Sequence, residues 1–225
     1  MQKLLWIFIL LVSVEAKAQK ENYAKNLRIE DFPAYKKDIQ AHSETRLVEI
    51  IPKKTGIKLD IRYATRNNFM HRPMYTQARA FARLPVYNAL LQVQHDLNEK
   101  GLGLKIFDGY RPYSVTVKFY ETAKDTTFVA DPRKGSRHNR GCAIDLTIIS
   151  LSNGRELEMP TGYDSFSAAA AANYDKASPH ATANRFLLQT EMQAHGFQIY
   201  PSEWWHYDFI GWQNFDLLNI PFNQL

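Results

Sequence analysis

Cysteine is nearly absent: Cys142 stands alone among 225 residues. No intramolecular disulfide can form, and no cysteine-rich zinc module can be built. Glycine and proline are modest at ten each, which excludes collagen-like or low-complexity organisation. There is no HExxH segment, so the common helical metalloprotease site is not used. Internal repeats are lacking, as is any linker that would divide the chain. Dense runs of positive charge are missing too. The 28 Lys and Arg against 23 Asp and Glu are scattered, and Arg133, Lys134, Arg137 and Arg140 form the tightest group. Nucleic-acid binding calls for clustered basic residues, so no nucleic-acid partner is expected.

Long apolar runs are also scarce. Residues 4–14 (LLWIFILLVSV) are the exception. They follow Lys3 and precede Ala16-Lys17-Ala18, the order of a secretory signal peptide cleaved after Ala18. The run falls short of the about 20 apolar residues that a spanning helix needs. Expected, then, are a signal peptide over 1–18, an exported protein and no membrane span after cleavage. Residues 19–46 are polar and read as an N-terminal arm with a short helix. Residues 47–225 read as one catalytic domain.

Within that domain, apolar alternation marks strands over 47–51 and 57–63. A stripe at Val86, Leu90, Val93 and Leu97 marks a helix over 85–99. Strand 104–107, helix 113–123, a polar loop over 125–135 and strand 142–149 follow. A hairpin arm over 151–159 turns at Asn153-Gly154. The Ala run 168–172 fits helix or loop. A helix over 182–195 precedes a final strand within 203–210. Strands and helices alternate irregularly, which predicts an α+β single domain with a largely antiparallel central sheet and flanking helices.

Of seven histidines, His138 and His206 have the most suggestive neighbours. His138 precedes Asp145 by seven residues, and the intervening Asn139-Arg140-Gly141 can turn the chain so that the two converge. Along 142–149, Ala143, Asp145 and Thr147 share one face, and Ile144, Leu146 and Ile148 the other. Cys142 falls on the second face and reads as a buried thiol. Taken alone, this segment reads first as a half-buried strand whose Asp145 faces water. His206 follows Glu203-Trp204-Trp205, which is either a rigid wall beside a perturbed carboxylate or simple aromatic core. Catalytic zinc takes three His or carboxylate ligands and keeps a fourth position open. His138, Asp145 and His206 supply that set, with Glu203 left as general base. Arg111, in Asp108-Gly109-Tyr110-Arg111-Pro112, could stabilise an oxyanion or merely pair with Asp108.

These segments resemble a known family. SRHNRGCAIDLT (136–147), EWWH (203–206) and DGYRP (108–112) look like motifs of the zinc D-alanyl-D-alanine dipeptidases, the VanX-like branch of the M15 peptidases. The likeness extends to DIRYATRNNF (60–69) and MPTGYDSFS (159–167). It implies one Zn2+ per chain on the central sheet, held by His138, Asp145 and His206. It also implies Glu203 as base, Arg111 as transition-state stabiliser, and Tyr63, Ser136 and Asp164 as the residues that hold a small D,D-dipeptide. The alternatives are a D,D-carboxypeptidase with the same zinc site and a silent wall-peptide-binding protein.

Overall fold

The computed structural model describes residues 23–123 and 129–225. The expected signal peptide and part of the expected loop 125–135 lie outside those residues. A five-stranded sheet organises the domain, in the order β3-β5-β6-β8-β7. Its strands are β3 (Lys58–Leu59), β5 (Leu102–Asp108), β6 (Ala143–Ser150), β7 (Phe197–Ile199) and β8 (His206–Phe209). Strands β2 (Leu47–Glu49) and β4 (Phe81–Arg83) pair with each other, and the short helix α2 (Pro52–Thr55) follows β2. Only β3–β5 is parallel; the other pairings are antiparallel. The chain is α+β with a largely antiparallel sheet, as the irregular alternation predicts.

Helix α3 (Leu84–Asn98) and helix α5 (Pro179–Ala194) pack on each other and on the sheet. The stripe Val86, Leu90, Val93 and Leu97 is fully buried, so α3 forms where the 3.6-residue period places it. Helix α5 begins earlier than the apolar pattern suggests. Ser178 Oγ accepts the Ala181 amide at 3.0 Å and Pro179 takes the first turn, a capping signal that outranks hydrophobic period at a helix start. Helix α4 (Tyr113–Thr122) follows β5 directly.

Three expectations are corrected. The alternating run 57–63 pairs only at β3 and then tightens into a 3-10 turn at Arg62–Ala64. Asn68 Nδ2 ties the carbonyls of Arg62, Thr65 and Arg72, while the Tyr63 ring is buried among Phe69, Tyr75, Phe119 and Tyr163. That packing overrides the strand period. The segment 203–210 is not the last to hold a strand. Strand β9 (Leu217–Leu218) pairs in parallel with β1 (Ile29–Glu30) of the arm. The arm also carries helix α1 (Phe32–Ala41), capped by Asp31. Finally, Asp145 does not face water. Strand β6 is central, and both of its faces are buried through Ile149.

Candidate active site

Register decides where the chemistry lies. Asp145 of β6 stands opposite His206 of β8 on one side and Asp108 of β5 on the other, where an irregularity between Ile106 and Asp108 shifts the pairing. His138 joins them from a 3-10 turn, His138–Arg140, that ends at Gly141. Asn139 holds this turn: its Oδ1 accepts the Ser136 amide, and its Nδ2 donates to the Arg111 carbonyl and to Thr116 Oγ1, each at 2.8 Å. Gly141 adopts φ +68°, and a Cβ there would lie 2.6 Å from Leu47 Cδ2. The left-handed backbone is what favours glycine here, since the Leu47 tip can shift.

The turn brings three donor atoms together. His138 Nε2 lies 3.2 Å from His206 Nδ1 and 3.4 Å from Asp145 Oδ1; His206 Nδ1 and Asp145 Oδ1 are 3.0 Å apart. Each of the three side chains is anchored from behind. His138 Nδ1 donates to the Gly109 carbonyl at 2.8 Å, His206 Nε2 to Asp208 Oδ1 at 2.9 Å, and Tyr163 OH to Asp145 Oδ2 at 2.9 Å. The partners of the two imidazoles can only accept, so the anchoring nitrogens carry protons and the facing nitrogens are left to bind. Asp145 Oδ1 is buried and accepts no hydrogen bond. Four donors set around Zn2+ at about 2.0–2.1 Å stand roughly 3.3 Å apart, the spacing of this trio. These residues could hold a metal ion, and their His, His, carboxylate chemistry fits zinc. The structure brings together the three residues that the sequence singles out.

The electrostatics follow from burial and proximity. Burial opposes ionisation of Asp145, yet the two imidazoles hold its carboxyl far below the usual range. Burial also penalises the His206 imidazolium, but Asp145 and Asp208, one against each ring nitrogen, raise it well above an ordinary histidine. A cation at the trio competes with that proton. Asp208 in turn lies 3.6 Å from Arg137 Nε.

Glu203 sits in the turn before β8, its Oε2 3.7 Å from His206 Nδ1. Burial first, then Asp145, raises its carboxyl. Arg111 donates to Asp108 Oδ2 through Nε at 3.0 Å and Nη2 at 2.7 Å. Asp108 is itself held by Tyr75 OH. Arg111 thus pairs with Asp108 and lines the cleft at the same time. Of the two tryptophans, only Trp205 lines the cleft; Trp204 turns away and donates to Thr161 Oγ1.

The cleft has a volume of about 420 Å³. Asp164, a non-glycine residue at φ +60°, also lines it. Such backbone strain costs about 1–3 kcal/mol and collects at functional sites. Tyr63 OH donates to Asp164 Oδ1 at 3.0 Å, while Oδ2 is buried without a partner. Burial and the Asp145 charge push this carboxyl up to about 8. Ser136 also lines the cleft, its Oγ accepting the His138 amide. All eight residues singled out in the sequence therefore border one cleft. The other histidines stand apart: His42, His95 and His195 pair with Asp38, Glu99 and Asp96. His180 is exposed in the first turn of α5.

Sequence reasoning missed Tyr163 and Asp208. Asp208 had a usable signal, because residues two apart on a strand share a face. Tyr163 had none beyond its place beside Asp164.

A family model described as D-ala-D-ala dipeptidase, of the M15 peptidases, matches residues 43–223. The chain belongs to the M15 peptidase family of D-Ala-D-Ala dipeptidases. Among relatives of this M15 peptidase, the D-alanyl-D-alanine dipeptidase of Escherichia coli K12 is 31% identical over 80% of this chain and 92% of its own length. That of Enterococcus faecalis is 31% identical over 69% and 87%. A solved LdcB LD-carboxypeptidase is 22% identical over 60% of this chain and 61% of its own, with a TM-score of 0.40. The segment matched by the M15 model contains every residue of the cleft named above; β1 and α1 precede it.

Proposed function

We propose that this M15 peptidase is a zinc dipeptidase that hydrolyses D-Ala-D-Ala to two molecules of D-Ala. His138, Asp145 and His206 would hold the ion, which when bound supplies Lewis-acid polarisation and a water of lowered pKa. Glu203 takes a proton from the attacking water and passes it to the leaving amine. Its raised carboxyl suits a group that must accept and then give up a proton near neutrality. Arg111, fixed in plane by Asp108, stabilises negative charge as it develops on the scissile carbonyl oxygen. Asp164 receives the substrate ammonium on Oδ2 while Tyr63 locks Oδ1, and Ser136 helps to hold the dipeptide.

Asp164 is the observation that carries the dipeptidase reading. A buried carboxyl with an unmatched oxygen, ionised once an ammonium comes to rest against it, selects a free amino terminus and rejects an acylated one. Comparing D-Ala-D-Ala with N-acetyl-D-Ala-D-Ala, with and without chelator, tests this. The expected result is metal-dependent cleavage of the free dipeptide alone. Equal cleavage of the acylated form would identify a D,D-carboxypeptidase instead, and no cleavage of either would leave a binding protein.

We further propose export by residues 1–18. The enzyme then acts outside the cytosol, where it serves wall-peptide turnover or D-Ala salvage. Sequencing the amino terminus of the mature protein tests this: a start at Gln19 is expected, and a cytosolic protein keeping residues 1–18 would overturn it.

A further inference from the structure

The cleft has more room, and more positive charge, than D-Ala-D-Ala uses. Its volume of about 420 Å³ lies in the range of sites for drug-sized ligands, about 300–1,000 Å³. Asp164, which would take the amino terminus, is grouped with Tyr63 and Phe69, whereas Arg137 and Arg140 gather at Trp212 and Tyr200, so we assign the spare room to the leaving residue. Val129, Asp131, Lys134, Arg137, Tyr200 and Trp212 line the cleft there.

That wall is basic. Arg137 and Arg140 hold their guanidinium carbons 4.8 and 5.3 Å from the centre of one ring, Trp212. Arg137 also lies 6.0 Å from the Tyr200 ring. Two like charges are thus fixed beside a single indole. Their local acidic partners are shared: Asp208 is divided between His206 and Arg137, and Asp216, near Arg140, pairs with Arg28 at 2.9 Å. Asp208 is engaged by His206 at 2.9 Å and stands 3.6 Å from Arg137, whose Nε is buried without a hydrogen bond. Arg140 donates to the Phe215 carbonyl, which carries no net charge. Asp131, at the same rim, is taken by Arg133 at 2.8 Å. Lys134 adds a third cation to the wall. One α-carboxylate cannot balance three cations, and the repulsion between two fixed guanidinium groups falls when an anion enters between them.

We infer that Arg137, Arg140 and Lys134 form a leaving-residue subsite that reads a second carboxylate, so that dipeptides with an acidic carboxyl-terminal residue are preferred substrates. The inference rests on the dipeptidase reading. The chemistry is unchanged: water adds to the carbonyl carbon, the C–N bond breaks, and the leaving amine takes the proton.

Steady-state kinetics on D-Ala-D-Ala, D-Ala-D-Glu and D-Ala-D-Gln test it, since the last two differ only in charge. A kcat/KM ratio of D-Glu over D-Gln of at least about tenfold is expected. The ratio should fall toward one in Arg140→Gln. Lys134→Gln, at an exposed position remote from the core, should also lower it and guards against a folding defect in the first variant. Raised salt should lower it in the native enzyme. A native ratio at or below one, with D-Ala-D-Ala still cleaved, overturns the subsite and leaves the dipeptidase intact. So does a ratio that survives in both variants. Failure to cleave any of the three dipeptides overturns the dipeptidase reading and the subsite with it.

Discussion

Asp208→Asn is the substitution that most directly tests the anchoring of the trio. Asp208 is 2% exposed and accepts from His206 Nε2 at 2.9 Å. Asparagine keeps the size and an acceptor oxygen but removes the charge that fixes the imidazole and makes it more basic. It also leaves Arg137 without its nearest carboxylate. Loss of such an outer partner typically weakens metal binding by about 10–100-fold, or about 1.4–2.7 kcal/mol. A counter-effect can be signed. Asp208 helps to raise the His206 imidazolium, so the variant also weakens the proton that competes with zinc. The loss of affinity should therefore be smallest at acidic pH and reach full size at alkaline pH. Zinc competition with a chromophoric chelator, from pH 6 to 9, measures it. Affinity equal to the native protein's at every pH would refute the idea that Asp208 sets up His206 for the metal.

Other consequences are as specific. Glu203→Gln should abolish turnover while zinc affinity changes little, read by the same chelator assay; substantial residual turnover would remove Glu203 from the mechanism. Asp164 makes the metal-free protein pH-sensitive. Its carboxyl lies at about 8 in the fold against about 3.9 when unfolded. Its contribution is fully present below pH 4 and is lost as pH rises toward 8, at about 1.4 kcal/mol per unit between. Urea melts of Asp164→Asn should lack that slope, and parallel pH profiles would contradict it. Gly141→Ala should cost roughly 1–3 kcal/mol from its left-handed backbone; an unchanged Tm would mean that the turn tolerates a side chain.

Legibility in the sequence followed the range of the forces involved. Helix α3 was readable because its stripe is local and its burial complete. The trio was readable because His138, Asp145 and His206 sit in short segments of recognisable pattern. The strand over 57–63 misled because Asn68 and the aromatic cluster around Tyr63 act across the chain. Strand β9 was invisible for a related reason: two residues, Leu217 and Leu218, find a partner almost the whole chain away at Ile29 and Glu30. Tyr163 and Asp208 were missed because a chemical motif marks donors to a metal, while the groups that orient those donors are fixed by register and loop packing.

The pairing of β1 with β9 has a temporal consequence. Among the described residues, the first strand waits for the last. Phe215 and Asp216, just before β9, accept from Arg140 and Arg83 through their carbonyls, and Leu217 packs against Gly135. The turn carrying His138 therefore has no back wall until residues 215–218 have been made. A chain made only through His206 holds His138, Asp145 and His206 but lacks the brace behind the turn. Alignment of the three is deferred until β9 can reach β1.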